Sequence, residues 1–385
     1  MLDDKEIEAR VTTLRRKLAR WLRKHEIDHD VCFKTYTEHF DDNPGSIPLV
    51  MCITDAVDRA IWYDQQAEFT ELVESLGFWY EHETASVVSF YPSTDDDAAR
   101  FRDYLGFRYF MDLLSPDFSD IYNEIFAYFG TRSERLEHLA WRQFEELVAS
   151  VFKNQGYRTE LGRGWSDEGV DIRLLEHSIH GELSTLVQVK KYRKDRPIRL
   201  DAIAALSGHL YDRGASKGIF VTTSRYLPGA RRFAARQERS IVLADSGDLA
   251  TWCQEISVRL GSEPIDREYK RVATALRQGK SSDFPVGQIV HASVGVNCIM
   301  NEFALVVRST PRAALLVTLP TSEVSHDGYH QVGLEVPRVP AALSAKDTKV
   351  IKAKRMEGDK RLSFWGNRHL FTLWDGKPVH FDLND

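Results

Sequence analysis

Between residues 139 and 191, polar residues stand at intervals that a small sheet can bring together. An apolar stripe at three- and four-residue spacing predicts a helix over residues 133–155, with Glu145 beside the stripe. Strand-like patterns then follow over residues 157–161, 170–175 and 183–191. Alternate residues of a strand point to one face, so Gln188 and Lys190 share a face, and Asp171 opens the strand before them.

After residue 191 the pattern changes to strands that alternate with helices. Helices are predicted over residues 199–211, 228–239 and 249–260, and strands over residues 218–222 and 240–244. Such alternation indicates parallel pairing through right-handed crossovers. The predicted element order of this part of the chain is therefore α-β-β-β-α-β-α-β-α, which describes a mixed sheet flanked by helices.

The rest of the chain divides into segments of different character. A length of 385 residues is enough for two or three domains, each with its own core. We predict an N-terminal α+β domain over residues 1–130, the mixed α/β unit over 131–260 and a linker over 261–285. Short apolar runs spaced by Gly, Pro, Asn and Asp predict an all-β domain over 286–385, either a small barrel or a sandwich.

Composition is that of an ordinary globular protein, with 43% hydrophobic and 28% charged residues. The charged, helical start does not look like a signal peptide, and no apolar run reaches the length of about 20 residues that a membrane span needs. The four cysteines are scattered, which suggests neither a zinc knuckle nor a disulfide framework. We expect a cytoplasmic protein that does not bind membranes.

Charge is distributed unevenly along the chain, although the net charge is only -6. Acidic residues dominate the first 130 positions, whereas basic residues far outnumber acidic ones between Lys190 and Arg239. This basic stretch predicts a phosphate-binding surface, and a set of solvated helix faces is the alternative. The candidate contacts are Lys191, Arg193, Thr223, Ser224 and Arg225. For the two hydroxyl residues, helix capping is an equally good interpretation.

Several separate motifs in a fixed order carry a resemblance to a known family. They are Phe144-Glu145, Gly156-Tyr157, Asp167-Glu-Gly169-Val-Asp171, Gln188-Val-Lys190-Lys-Tyr192 and Gly218-Ile-Phe-Val-Thr222-Thr-Ser224. Over residues 135–256 this order resembles the Mrr-type restriction endonuclease domain of the PD-(D/E)xK nuclease superfamily. The resemblance implies a restriction-endonuclease-like α/β core and DNA cleavage that depends on a divalent metal.

The resemblance also implies roles for individual residues. Asp171 would be the metal-binding acid, Lys190 the catalytic lysine and Glu145 an auxiliary acid, while Gln188 stands where the superfamily usually has an acid. Mg²⁺ takes oxygen ligands, so the Gln188 amide oxygen and the Val189 carbonyl would complete its coordination, and Mn²⁺ is a possible substitute. Because Gln188 has an amide in place of a carboxylate, the site holds one negative charge fewer, which favours one metal ion over two unless Glu145 also binds metal. Asp167 either binds metal or forms an Asx turn.

Two functions of different class follow from the sequence. The first is a metal-dependent DNA endonuclease of a restriction or antiphage system, which would act as a homo-oligomer, a dimer or higher, because cutting two strands with one site per chain favours a pair. The second is a non-catalytic nucleic-acid-binding or assembly module that keeps the nuclease fold. A complete set of Asp171, Gln188 and Lys190 favours the enzyme.

Overall fold

A computed structural model describes residues 4–162, 170–178, 181–193, 195–262, 265–280, 283–295, 298–343, 348–356 and 362–384. The chain divides into two compact units, Met1–Asp112 and Leu113–Asp385. Among the helices of the described residues, none is both long enough and apolar enough to cross a lipid bilayer.

The first unit combines helices with one antiparallel sheet. Its helices are α1 (Asp4–Lys24), α2 (Tyr36–Phe40), α3 (Asp55–Arg59), α4 (Gln66–Ser75) and α5 (Asp95–Asp112), with a π-helical turn at Ala60–Asp64. Its strands are β1 (Cys32–Lys34), β2 (Leu49–Cys52), β3 (Phe78–Thr84) and β4 (Val87–Pro92), in the order β1-β2-β4-β3. The core of this unit is built from its own residues, among them Leu14, Phe69 and Phe90.

The second unit begins with the α/β part of the chain. Its helices are α6 (Pro116–Ser119), α7 (Glu124–Gly130), α8 (Trp141–Asn154), α9 (Leu200–Asp212), α10 (Pro228–Ala234), α11 (Ser246–Ser262) and α12 (Ile265–Arg277), with a 3₁₀ helix at Ser133–His138. The strands are β5 (Arg158–Leu161), β6 (Ile172–Ser178), β7 (Gly181–Lys190), β8 (Lys217–Thr222) and β9 (Ile241–Ala244). Strands β5, β6 and β7 pair antiparallel, while β7, β8 and β9 pair parallel. The predicted mixed sheet flanked by helices is confirmed.

The helix predicted over residues 133–155 is wrong in one respect, because it is broken before Trp141. Leu139 and Ala140 adopt extended backbone with ψ of 150° and 157°. The amide of Ala140 donates to Gln143 Oε1 at 2.9 Å, which satisfies a main-chain donor at the start of α8. The break separates the 3₁₀ helix from α8, so the position of Glu145 is set by a helix that begins four residues before it.

Residues 113–130 pack within the second unit. Helix α7 contacts α11, and Gly130 lies so close to Gln254 that a Cβ there would be 2.9 Å from the Gln254 amide nitrogen. Asp120 also accepts bonds from two directions: Lys153 Nζ of α8 lies 2.7 Å from its carboxylate, and an Arg308 amino group donates to its carbonyl at 2.9 Å. The domain boundary predicted at residue 130 stays a prediction, whereas the compact units divide after Asp112.

The C-terminal part is all-β, as predicted, and contains a closed six-stranded barrel. The barrel strands are β10 (Ile289–Val294), β11 (Met300–Ser309), β12 (Ala313–Leu319), β15 (Val350–Arg355), β16 (Ser363–Gly366) and β17 (His369–Leu373). A separate sheet is formed by β13 (Thr321–His326), β14 (Val332–Pro337) and β18 (Val379–Asp382). The predicted linker contains α12, which contacts β11 and buries Tyr269, whose hydroxyl donates to Pro340 O at 2.9 Å.

Candidate active site

Glu145 and Asp171 form a buried pair of acids. Glu145 is 0% exposed because α8 packs against β5, β6, α6 and α11, and Asp171, directly before β6, is 2% exposed. Burial together with the negative charge of Asp171 raises the pKa of Glu145 to about 7, and the nearby Arg142 guanidinium opposes that rise. A pKa raised in this way by burial and by a neighbouring acid is typical of functional sites.

The Asp171 carboxylate is held by the main chain of β7. Asp171 Oδ2 accepts from the Val189 amide at 2.6 Å, and the Asp171 amide donates to Val187 O at 3.0 Å. Strand β6 begins only at Ile172, which pairs with Val187, so Val189 has no partner in the β6 ladder. The Asp171 carboxylate accepts the amide proton that this missing partner would otherwise take. The structure thus brings Glu145, Asp171 and the main chain of Val189 together. The predicted metal contact of the Val189 carbonyl stays a prediction.

Gln188 is buried, and its amide oxygen has no hydrogen-bond partner among the described residues. The residue is 6% exposed, and the β6–β7 register, in which Ile172 faces Val187, brings it beside Asp171. Glu145 Oε1 is likewise buried without a partner in the described part of the chain. A buried acceptor with no donor costs roughly 1–3 kcal/mol, so two of them near one carboxylate indicate that a donor or a cation belongs there.

Lys190 is the last residue of β7 and is partly buried. It is two residues from Gln188, so the two side chains leave the strand on one face, which is also the face of Leu186. Its carbonyl accepts from the Thr222 hydroxyl at 2.7 Å, which ties the end of β7 to β8. The predicted catalytic role of Lys190 rests on this position and stays a prediction.

Arg142 belongs to the site although the sequence did not point to it. One of its amino groups donates to Glu145 Oε2 at 3.1 Å and to Gly162 O at 2.8 Å, so it links α8 to the end of β5. An arginine three residues before a buried acid on one helix is the signal that would have found it. On sequence alone such an arginine looks like part of a solvated helix face.

The hydroxyls of Thr223 and Ser224 hold the chain that follows β7. Thr223 Oγ1 accepts from the Tyr192 amide at 2.9 Å and donates to Tyr192 O at 2.7 Å, while Ser224 Oγ donates to Arg196 O at 2.8 Å. Both residues are nearly inaccessible, with exposures of 2% and 5%. With its bonds taken up inside the protein, this pair is better suited to shaping the loop than to contacting phosphate.

The remaining basic candidates lie at the surface, close in sequence to the strand ends that carry the site. Lys191 and Arg193 line a cleft of about 730 Å³ together with Tyr192, Glu137, His138 and Asp195. Arg193 and Arg225 are exposed, and Lys191 is half-buried. These three cations are accessible to a phosphate backbone. Asp167, the possible metal ligand or Asx-turn residue of the sequence analysis, lies outside the described residues.

In this part of the chain the mixed sheet carries Asp171 directly before β6, beside the end of β7, and α8 brings Glu145 to it. Residues 136–253 match the family model of the Mrr catalytic domain, described as "Restriction endonuclease". This segment is therefore an Mrr-type restriction endonuclease domain, as its motifs predict, and the match supports a nuclease role.

Comparison with individual proteins gives more distant similarities. The chain is 26% identical over 123 residues to "Uncharacterized protein y4cE" of Sinorhizobium fredii (strain NBRC 101917 / NGR234), a match covering 31% of each protein. The chain thus spans about a third of the length of this curated relative.

Among solved structures, "DNA modification-dependent restriction endonuclease AspBHI" is similar at 16% identity and a TM-score of 0.27 over 34% of this chain and 39% of that one. "MspJI Restriction Endonuclease in Complex with 27-mer Oligonucleotide" is similar at 21% identity and a TM-score of 0.25 over 44% and 34%.

Proposed function

We propose that this protein is a metal-dependent endonuclease that hydrolyses phosphodiester bonds of DNA. The observation that carries the proposal is the buried pair of Glu145 and Asp171, with unpartnered oxygens on Glu145 and Gln188, inside a segment that matches a restriction endonuclease family. A folding scaffold gains nothing from two buried acids and two unsatisfied acceptors, since each raises the free energy of the folded state.

The donor set fits a hard divalent cation. Asp171 and Glu145 supply carboxylate oxygens and Gln188 an amide oxygen, which are the ligands that Mg²⁺ and Mn²⁺ take in proteins. These three residues would hold the ion, with the Val189 carbonyl as a further ligand. When bound, the ion would polarise a phosphate oxygen and lower the pKa of a bound water.

The other residues of the site act through charge and position. Arg142, one turn before Glu145 on α8, donates a hydrogen bond to the Glu145 carboxylate. The Val189 amide orients the carboxylate of Asp171 in the same way. Lys190 would place its ammonium beside the scissile phosphate, where a positive charge favours the more negative transition state. Lys191, Arg193 and Arg225 would contact neighbouring phosphates and so position the duplex.

Cleavage of supercoiled plasmid in Mg²⁺ or Mn²⁺ tests this proposal. We expect nicked and linear products with wild type and a loss of about 100-fold or more in Asp171→Ala, which removes a carboxylate that would hold the ion, and in Lys190→Ala, which removes a positive charge that favours the transition state. Lys217→Ala is the matched control, since Lys217 begins β8 and pairs with Thr185 at the opposite end of the β7–β8 ladder from Lys190. Undiminished cleavage in both site variants would overturn the assignment.

A role in restriction or antiphage defence and action as a homo-oligomer are part of the proposal. The plasmid panel should therefore include methylated and unmethylated DNA as well as RNA, with phage challenge of cells that produce the protein. Light scattering of the protein with and without DNA measures the assembly state. Binding without cleavage in every arm of this panel would favour the alternative of a non-catalytic module.

A further inference from the structure

A cluster of two histidines and a glutamate lies far along the chain from the acid pair, at the end of the hairpin formed by β13 and β14. Glu323, His326 and His330 each offer one ligand atom, and these atoms lie within 4.8 Å of one another. The imidazole rings of His326 and His330 are nearly parallel, with centroids 3.8 Å apart. His330 Nδ1 is 2.6 Å from Glu323 Oε2, so one imidazole already contacts the carboxylate, while His326 Nδ1 accepts from the Gly328 amide at 3.0 Å.

A β-bulge puts Glu323 and His326 on one face of β13. Residues three apart in a regular strand point to opposite faces. In this hairpin Glu323 pairs with Glu335 and His326 with Gly333, so one residue of β13 is extra between them. Because Glu335 and Gly333 are two apart on β14, their partners share a face. The bulge thereby brings a carboxylate and an imidazole to the same side.

The turn that follows returns His330 to the same place. Asp327 Oδ1 accepts from the amides of Tyr329 and Gln331, which fixes the turn. His330 itself has a φ of 59°, in the left-handed region that side-chain-bearing residues seldom adopt. Glycine would adopt this conformation with less steric strain, so the turn carries an imidazole at a position where glycine would be the less strained residue.

The charge around the cluster favours a cation. Glu335 lies directly across from Glu323 on the neighbouring strand, and like charges in directly opposed positions destabilise a sheet. Glu335 is 9% exposed and accepts from Asn301 at 2.8 Å, so its carboxylate stays on this face. A bound cation would offset the repulsion between the two carboxylates.

We propose that Glu323, His326 and His330 form a second metal site, specific for Zn²⁺ or a similar borderline divalent ion. Imidazole with one carboxylate suits such ions, whereas Mg²⁺ prefers oxygen ligands alone. Ligands of tetrahedral Zn²⁺ are about 3.3–3.5 Å apart at bond lengths near 2.1 Å, so ligand atoms within 4.8 Å of one another would move closer on binding, and the two stacked imidazole rings would turn until a nitrogen of each points at the ion. Three protein ligands leave the fourth position for water. The ion would replace the proton between His330 and Glu323 and tie the turn to β13.

Cobalt substitution tests this site in the full-length protein. After removal of metals with a chelator, wild type is expected to bind one equivalent of Co²⁺ with the intense visible absorption of tetrahedral coordination, and Zn²⁺ but not Mg²⁺ should displace it. Octahedral oxygen coordination at the acid pair would give only weak absorption, so the two sites are distinguished. The proposal fails if wild type shows no such band.

Substitution of each histidine gives the second arm. His326→Ala and His330→Ala should abolish the band and weaken Zn²⁺ binding by at least about 100-fold, since loss of a ligand exceeds the 10- to 100-fold effect of losing an outer partner. His380→Ala is the matched control, because His380 is also exposed and lies on β18 of the same sheet. Zn²⁺ should raise the Tm of wild type and the control but not of the two variants. A band or a Tm rise that survives both substitutions would overturn the proposal.

Discussion

At the scale of single residues, Glu145 is held in an environment that opposes its charge. Its pKa is raised to about 7 from an ordinary value near 4.5, so the folded state binds a proton more tightly than the unfolded chain does. The corresponding contribution to stability is present below pH 4.5 and is lost as the pH rises through about 7. The ionised form is tolerated near neutral pH because Arg142 is close and, in the proposed function, because a cation binds.

Glu145→Gln should therefore stabilise the metal-free protein in a pH-dependent way. At pH 8 we expect the free energy of unfolding to rise by up to about 3 kcal/mol, because glutamine keeps the shape without the buried charge. Near pH 4.5 the difference should vanish, since wild type then binds the proton in the folded state. Urea unfolding at both pH values, in the presence of a chelator, measures this difference in the free energy of unfolding. Glu160→Gln is the control, because Glu160 is exposed. An equal gain at both pH values would show that burial of the charge is not the cause.

At the scale of elements, the loop after β7 is held in place by the hydroxyl of Thr223, the residue directly after β8. Thr223→Val removes both hydrogen bonds between the Thr223 hydroxyl and the main chain of Tyr192, and it leaves the Tyr192 amide without that acceptor. The free energy of unfolding should therefore fall by about 1–3 kcal/mol. In the proposed function, binding of DNA should weaken as well, because Lys191 and Arg193, the proposed phosphate contacts, flank Tyr192. Thr223→Ser keeps the hydroxyl and should behave like wild type in urea unfolding and in a DNA-binding assay. A serine variant as impaired as the valine variant would show that packing, and not the hydrogen bonds, is responsible.

The contact of α7 with α11 gives a second prediction at this scale. Gly130→Ala places a Cβ 2.9 Å from the Gln254 amide nitrogen, and this neighbour is main chain within a helix, so we expect a loss of about 1–3 kcal/mol. Gly208→Ala, within α9, meets nothing within 4 Å and should stabilise by about 0.5–1 kcal/mol through helix propensity. Thermal unfolding of the two variants should thus shift in opposite directions. Shifts in the same direction would mean that the close approach is relieved by movement of α11.

The features that the sequence predicted depend on residues close together along the chain, whereas several that it missed depend on residues far apart. Periodicity predicted the mixed sheet, the all-β region and the shared face of Gln188 and Lys190, because these depend on neighbours along the chain. The break before Trp141 was missed, since no Gly or Pro marks it. The role of Thr223 was also missed, because its partner lies 31 residues away, and that of Arg142 because its second partner lies 20 residues away and nothing in the sequence alone shows that Glu145, three residues on, is buried.

At the scale of the whole molecule, the two compact units differ in what each needs in order to fold. The first has a core of its own residues, so a chain of residues 1–112 should unfold cooperatively by circular dichroism. A chain of residues 113–385 should also fold, whereas one of 131–385 loses α7 and the Asp120 carboxylate that pairs with Lys153. We expect a clearly lower Tm for the shorter chain. Equal Tm values for the two would contradict a structural role of residues 113–130.

The barrel closes without the help of the chain between two of its strands. β12 pairs directly with β15, Leu316 facing Ile351, while the intervening residues leave to form β13 and β14 and then return. The entropy of closing such an excursion grows only with the logarithm of its length, so each doubling costs about 0.6 kcal/mol. A change in the length of the segment between these two strands therefore costs the barrel ladder little, whereas β14 within it also pairs with β18 and is held to β11 through Glu335 and Asn301.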